Sequence, residues 1–140
     1  SQVMKDLLAV VGDKDYFILT SNADTHLELS GFTPGKVFEV EGTFENIVLN
    51  TPIVDKSQQA NAFLNRYHSK RLVILELGIG CRNRLIKLPL MQLAARELQA
   101  VYITLNLAQE LYIPNEIAHK SIGLAGDIAV TLQKLKEKLV

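Results

Sequence analysis

Asn22 and Asp24 stand two positions apart in Thr20-Ser21-Asn22-Ala23-Asp24, directly after the short apolar run Tyr16-Phe17-Ile18-Leu19. That run is too short for a helix and rich in residues that suit a strand. A loop carrying an amide and a carboxylate at the carboxyl end of a buried strand is where an α/β protein holds its ligand. The plainer reading is a turn and helix cap, because Asn and Asp side chains bond nearby backbone N–H groups. A second strand, Val37-Phe38-Glu39-Val40, ends in Glu41-Gly42-Thr43-Phe44, and a carboxylate there can accept a proton. Further along, Gly78-Ile79-Gly80, Asn106 and Gly126-Asp127 also fall where apolar runs stop. Each has a bland counterpart: a tight turn, a turn-forming Asn and a helix cap.

The intervening pattern must position these groups. Val3, Leu7 and Val11 recur at helical spacing, and Gly12 can end that helix. Leu27 and Leu29 suit a short helix, Thr33-Pro34-Gly35 a turn, and Ile47-Val48-Leu49 a short strand. Ala60, Phe63, Leu64 and Tyr67 make one face of a helix over 57–70. Leu72 to Leu77 is near-continuously aliphatic and predicts a strand buried on both faces. Pro89 begins or kinks the next helix, whose Leu90, Leu93, Ala94 and Leu98 are spaced for burial. Val101 to Leu105 predicts a strand, Ile117-Ala118 a helical turn and Ile122 to Leu124 another strand. Asp127 then caps a last helix with Ile128, Leu132, Leu135 and Leu139 as its buried stripe. Strands alternating with helices predict an α/β fold with a largely parallel sheet, in a single domain over 1–140.

Composition narrows the class. The 140 residues are 48% hydrophobic and 21% charged, enough to bury a core. Fifteen basic residues balance fifteen acidic ones, so no basic excess points to nucleic acid or an anionic membrane surface. No apolar run approaches a membrane-spanning length, and the N-terminus shows no secretory pattern. Cys81 is the single cysteine, which excludes an internal disulfide and a Cys-rich zinc site. His26, His68 and His119 lie in different elements without ligand spacing, so no metal is expected. A reducing cytoplasm is the expected compartment.

Thr20-Ser21-Asn22-Ala23-Asp24 resembles the T-Q-N-x-D segment of the sirtuins, NAD-dependent protein deacylases and ADP-ribosyltransferases. Val37 to Phe44 resembles the sirtuin strand that runs into its H-G-S-F motif. Gly78-Ile79-Gly80 occupies the place of the sirtuin G-T-S turn, which touches the adenosine side of NAD. Asn106 resembles the Asn of the sirtuin I-N segment, a ribose contact, and Leu107 goes with that segment. Gly126-Asp127-Ile128 resembles the closing segment, whose backbone reads the adenine edge. These segments come in the family's order and span about Tyr16 to Leu135.

Four departures qualify the likeness. Glu41 stands where sirtuin deacylases carry a catalytic His. The four-cysteine zinc module is missing. Ser21 replaces the usual Gln, and Ile79 and Gly80 replace hydroxyl-bearing residues. The G-A-G-x-S segment that cradles the NAD diphosphate, in the family's first βα unit, is also missing. The first three resemble the zinc-free, macrodomain-linked branch of ADP-ribosyltransferases that act on lipoyl-carrier proteins.

The resemblance therefore implies a Rossmann-like, DHS-like NAD-binding fold lacking its first βα unit, with the chain expected to be one part of a longer protein. It implies NAD as cofactor, held by Thr20, Ser21, Asn22, Asp24, Gly78, Ile79, Gly80, Asn106, Leu107, Asp127 and Ile128. Asn22, Asp24 and Glu41 are the expected catalytic residues. The expected activity is protein ADP-ribosyl transfer or deacylation, with ADP-ribose moving from NAD to a protein and nicotinamide released. The rival expectation is a sirtuin-like module that binds a nucleotide or protein without catalysis. An exposed sheet edge would favour a homo-oligomer.

Overall fold

The computed structural model describes residues 1–20, 31–39, 58–80 and 83–139. Ser21, Asn22, Asp24, Glu41, the expected short helix around Leu27 and the expected strand at Ile47 lie outside them. Within them the chain runs α1 (Gln2–Val11), β1 (Ile18–Thr20), β2 (Val37–Glu39), α2 (Gln58–Arg66), β3 (Leu72–Leu77), α3 (Arg84–Arg96), β4 (Ala100–Asn106), β5 (Ser121–Ala125) and α4 (Ile128–Leu139). Short 3-10 turns cover Pro34–Lys36, Ala108–Glu110 and Asn115–Lys120. This is the expected α/β architecture, a Rossmann-like arrangement of parallel strands flanked by helices.

β3, β4 and β5 form one parallel sheet in that order, with Leu72 opposite Ala100 and Tyr102 opposite Ser121. Parallel neighbours need crossovers, and α3 supplies the one between β3 and β4. Alternation along the strands divides the core into two layers. Leu72, Ile74, Ala100 and Tyr102 pack with Phe63 and Leu64 of α2 and with Met91, Leu93 and Ala94 of α3. On the other face Leu75, Leu77, Ile103 and Leu105 pack with Leu7 of α1 and with Ile128, Leu132 and Leu135 of α4. α1 and α4 are clamped to each other by Lys136, whose Nζ lies 3.2 Å from the buried carboxylate of Asp6.

Three expectations change. The second face of β3 is covered only toward its carboxyl end, because α1 and α4 reach Leu75 and Leu77 while Val73 stays 62% exposed. Leu98 lies beyond the end of α3 and is exposed, since the helix stops at Arg96 and Glu97 turns the chain into β4. Leu139, in the last turn of α4, is likewise exposed rather than part of the buried stripe. Pro89 falls inside α3, which begins five residues before it.

β1 and β2 form a separate parallel pair, Ile18 opposite Val37. They lie in the layer of the larger sheet. Leu19 packs into the α2–α3 side of the core and Ile18 into the α1–α4 side, as alternate residues of β3 do. The strands also start at one end. Asp15, just before β1, holds Lys36 at 2.9 Å, Arg66 at 3.1 Å and the Tyr67 hydroxyl at 2.7 Å. Lys36 directly precedes β2, while Arg66 and Tyr67 close the helix that leads into β3. β1, β2 and β3 therefore run in the same direction.

Candidate functional site

The carboxyl ends of β3, β4 and β5 meet in one small cluster. Gly78 follows β3 at φ +67°, in the left-handed region that glycine occupies without strain. A Cβ there would stand 3.1 Å from Cδ1 of Ile128, so glycine also lets the first residue of α4 approach the end of β3. The Gly78 N–H donates to the Leu105 carbonyl at 3.0 Å, and the Gly126 N–H donates to the Asn106 carbonyl at 3.0 Å. These two bonds extend the sheet one step into its loops.

Asn106 joins those loops. Its Nδ2 donates to the Ile79 carbonyl at 3.3 Å, and its Oδ1 accepts from the Leu107 N–H at 2.9 Å. The residue is 7% exposed. An amide has four hydrogen-bonding positions and these two contacts use half of them. Among the described residues Asn106 is thus a structural strut with one donor and one acceptor position left over. Leu107 beside it is half exposed. Asp127 caps α4 as expected: its Oδ1 accepts from the Val130 N–H at 3.1 Å, and its carbonyl accepts from Thr131. A Cβ at Gly80 would stand 3.2 Å from a carboxylate oxygen of Glu110, which sets the closest wall of this cluster.

The structure thus brings together Gly78, Ile79, Gly80, Asn106, Leu107, Asp127 and Ile128. Thr20 ends β1, in the other strand pair. Ser21, Asn22, Asp24 and Glu41 lie outside the described residues. β1 and β2 form one parallel pair and β3, β4 and β5 a second parallel sheet. Thr20 and Gly78 lie at the carboxyl ends of β1 and β3, and open parallel sheets bind ligands at such strand ends.

The chain is similar to a protein ADP-ribosyltransferase. Over 76 residues it is 32% identical to the protein of that name from Staphylococcus aureus (strain Mu50 / ATCC 700699), a match covering 54% of this chain. The chain spans about a quarter of that relative's length, 24%. No protein-family profile matches the sequence.

A second polar group lies below the strand ends and escaped the sequence reading. Glu76 sits on the α3 side of β3, and its Oε1 receives Lys87 Nζ of α3 at 2.6 Å and the Thr104 hydroxyl at 3.0 Å. Lys87 also donates to the Tyr102 hydroxyl at 3.0 Å. Glu76 and Lys87 are both buried, and Glu76 Oε2 has no hydrogen-bond partner among the described residues. Burial, and then the Glu76 carboxylate, push the Tyr102 hydroxyl well above the ordinary phenol range. The one available signal was a Glu inside an otherwise aliphatic strand. Lys87 also lines a groove of about 640 Å³ between α3 and the 3-10 turn at Asn115–Lys120, with Leu88, Met91, Tyr112, Pro114 and Ile117. That groove shares no lining residue with the strand-end cluster. Among the described residues no group of three or more His, Cys, Asp or Glu side chains could hold a metal ion, and no helix is long and apolar enough to cross a membrane.

Proposed function

We propose that this chain is the NAD-holding part of a sirtuin-like protein ADP-ribosyltransferase. The observation that carries the reading is the likeness to the staphylococcal protein ADP-ribosyltransferase. The strand-end cluster supports it, because its donor set suits a nucleoside. Asn106 keeps one amide hydrogen and one oxygen lone pair for a ribose. Asp127 takes the Val130 N–H of the first turn of α4, and the N–H groups of Ile128 and Ala129 have no partner within the helix. Gly78 and Gly80 let the Ile128 and Glu110 side chains close in on the end of β3, which draws the loops of the cluster together.

NAD would enter as the substrate that supplies ADP-ribose, with nicotinamide as the leaving group. The adenosine would rest on Gly78, Ile79, Gly80, Asn106, Leu107, Asp127 and Ile128. Asn22 and Asp24, which follow Thr20 in the sequence, would line the nicotinamide ribose, and Glu41 would serve as a proton acceptor. The acceptor nucleophile would bond to the ribose carbon as the bond to nicotinamide breaks. An acceptor of the lipoyl-carrier kind follows from the resemblance to the zinc-free branch.

Calorimetry with NAD tests the reading, using the folded chain beside the double variant Asn22→Ala, Asp24→Ala. Binding by the parent that falls at least tenfold in the variant is the expected result. A folded chain that gives the same heats with both proteins would refute the assignment of Asn22 and Asp24. A parent that binds NAD but transfers nothing from labelled NAD to any carrier protein would favour the binding-module reading.

A further inference from the structure

The groove between α3 and the Asn115–Lys120 turn has two walls that run side by side. Just before α3, Gly80 lets the Glu110 carboxylate approach, where a Cβ would stand 3.2 Å away. Near the end of α3, Lys120 Nζ donates to the Ala94 and Glu97 carbonyls, both at 2.7 Å. Arg84, Lys87, Leu88, Met91 and Ala95 line one wall as a single helix face. Tyr112, Pro114 and Ile117 line the other, with Glu116 beside them. Because the walls run the same way, Arg84 and Lys87 stand at one end of the groove and Ala95 and Glu116 at the other. Its volume of about 640 Å³ is that of a small-molecule site, and such sites are apolar with a few converging polar groups.

The two ends differ in charge. The Lys87 side chain is 5% exposed, and its ammonium spends two N–H donors on Glu76 and Tyr102, which leaves the third for an occupant. Glu76 offsets the Lys87 charge, whereas Arg84 makes no ion pair among the described residues, so this end carries an uncompensated positive charge. The Glu116 carboxylate at the other end repels a second anion. We propose that the groove binds a small apolar monocarboxylate, its head on Arg84 and the third N–H of Lys87 and its chain along Leu88, Met91, Tyr112 and Ile117. Arginine takes a carboxylate through two parallel N–H bonds, which fixes the head. The chain covers Leu88 and Tyr112, which are otherwise half exposed, and burying them drives the binding. From Lys87 to Ala95 the helix rises about 12 Å, which an extended chain of about ten carbons spans. NAD binding is not needed for this inference.

Calorimetry and amide NMR on the full chain test it, with decanoate below its micellar concentration and decylammonium as the probe of opposite charge. The expected result is saturable binding of decanoate, with shifts confined to residues 84–95 and 112–117 and with decylammonium weaker by about tenfold. Equal binding of the two probes, no saturation, or shifts at 78–80 and 126–128 instead would overturn the proposal. Arg84 is exposed, so Arg84→Gln should fold, and it is expected to weaken decanoate by about tenfold and leave decylammonium no weaker. Ala95 is exposed as well, and Ala95→Trp should shorten the groove, so decanoate weakens while hexanoate does not. A folded Arg84→Gln or Ala95→Trp variant that keeps the parent's affinity for decanoate would refute the placement of head or chain. Shifts at the same residues that appear without acid and grow with protein concentration would assign the groove to a second copy of the chain, and the proposal would fall.

Discussion

Lys87 is the residue whose loss should cost the fold most. Its ammonium sits 2.6 Å from Glu76, and both side chains are buried. A buried pair gains little over apolar packing, but removing one member strands the other charge. Lys87→Met is therefore expected to destabilise by about 3–5 kcal/mol in urea unfolding. Adding Glu76→Gln removes the stranded charge and keeps an acceptor for Thr104, so the double variant should recover about 1–2 kcal/mol of that loss. A double variant no more stable than the single would show that Glu76 is neutral beside methionine. Asn106 makes a second contrast. Asn106→Ala leaves the Ile79 carbonyl and the Leu107 N–H without their partner and should cost about 1–3 kcal/mol. Asn106→Asp keeps the acceptor for Leu107 but sets a carboxylate oxygen against the Ile79 carbonyl, so its melting temperature at neutral pH should lie below the parent's. The sequence marked Asn106 correctly as a strand-end residue. It could not reveal that half of its amide is spent on the loops, because Ile79 is distant along the chain.

Gly78 sets how α4 meets the sheet. Gly78→Ala meets two obstacles: a left-handed φ and a methyl 3.1 Å from Ile128. The first alone costs about 1–2 kcal/mol for a residue with a Cβ. Shortening the neighbour with Ile128→Val should relieve the contact and leave the backbone cost, so thermal unfolding of the double variant should recover part of the loss. Full recovery would mean that the backbone at 78 shifts freely. At this scale the sequence was informative wherever local pattern decided the outcome. The stripe Ile128, Leu132, Leu135, the cap at Asp127 and the face Ala60, Phe63, Leu64 all follow from helical spacing, and the structure buries or uses them. Leu98 and Leu139 fit the same spacing and are exposed, because spacing does not say where a helix ends or how far the opposite layer extends. Val73 is the strand version of that miss: an aliphatic run predicts two covered faces, but covering them depends on how far α1 and α4 reach along the sheet.

Asp15 ties the β1–β2 pair to the helix that leads into the three-stranded sheet, and acid should loosen that tie. Its carboxylate joins the start of β2 through Lys36 and the end of α2 through Arg66 and Tyr67. The Lys36 ammonium and the Tyr67 hydroxyl, with Arg66, hold its pKa at about 2, below the ordinary carboxylate range. A carboxylate depressed in the folded state binds fewer protons there than in the unfolded chain. Its contribution is thus complete above the unfolded value near 4 and fades as pH falls toward about 2. The side chain is about a third exposed, so solvent screens the effect and the fall should be modest. Asp15→Asn should lower the melting temperature at pH 6 and flatten its dependence between pH 4 and 2. Raising salt should narrow the gap between parent and variant, since the partners are partly solvated. If the parent's melting temperature fell no more steeply than the variant's over that window, the two sheets would be held by their shared core rather than by Asp15. The side chains of Leu19 and Ile18, one in each core layer, would then fix the plane of β1.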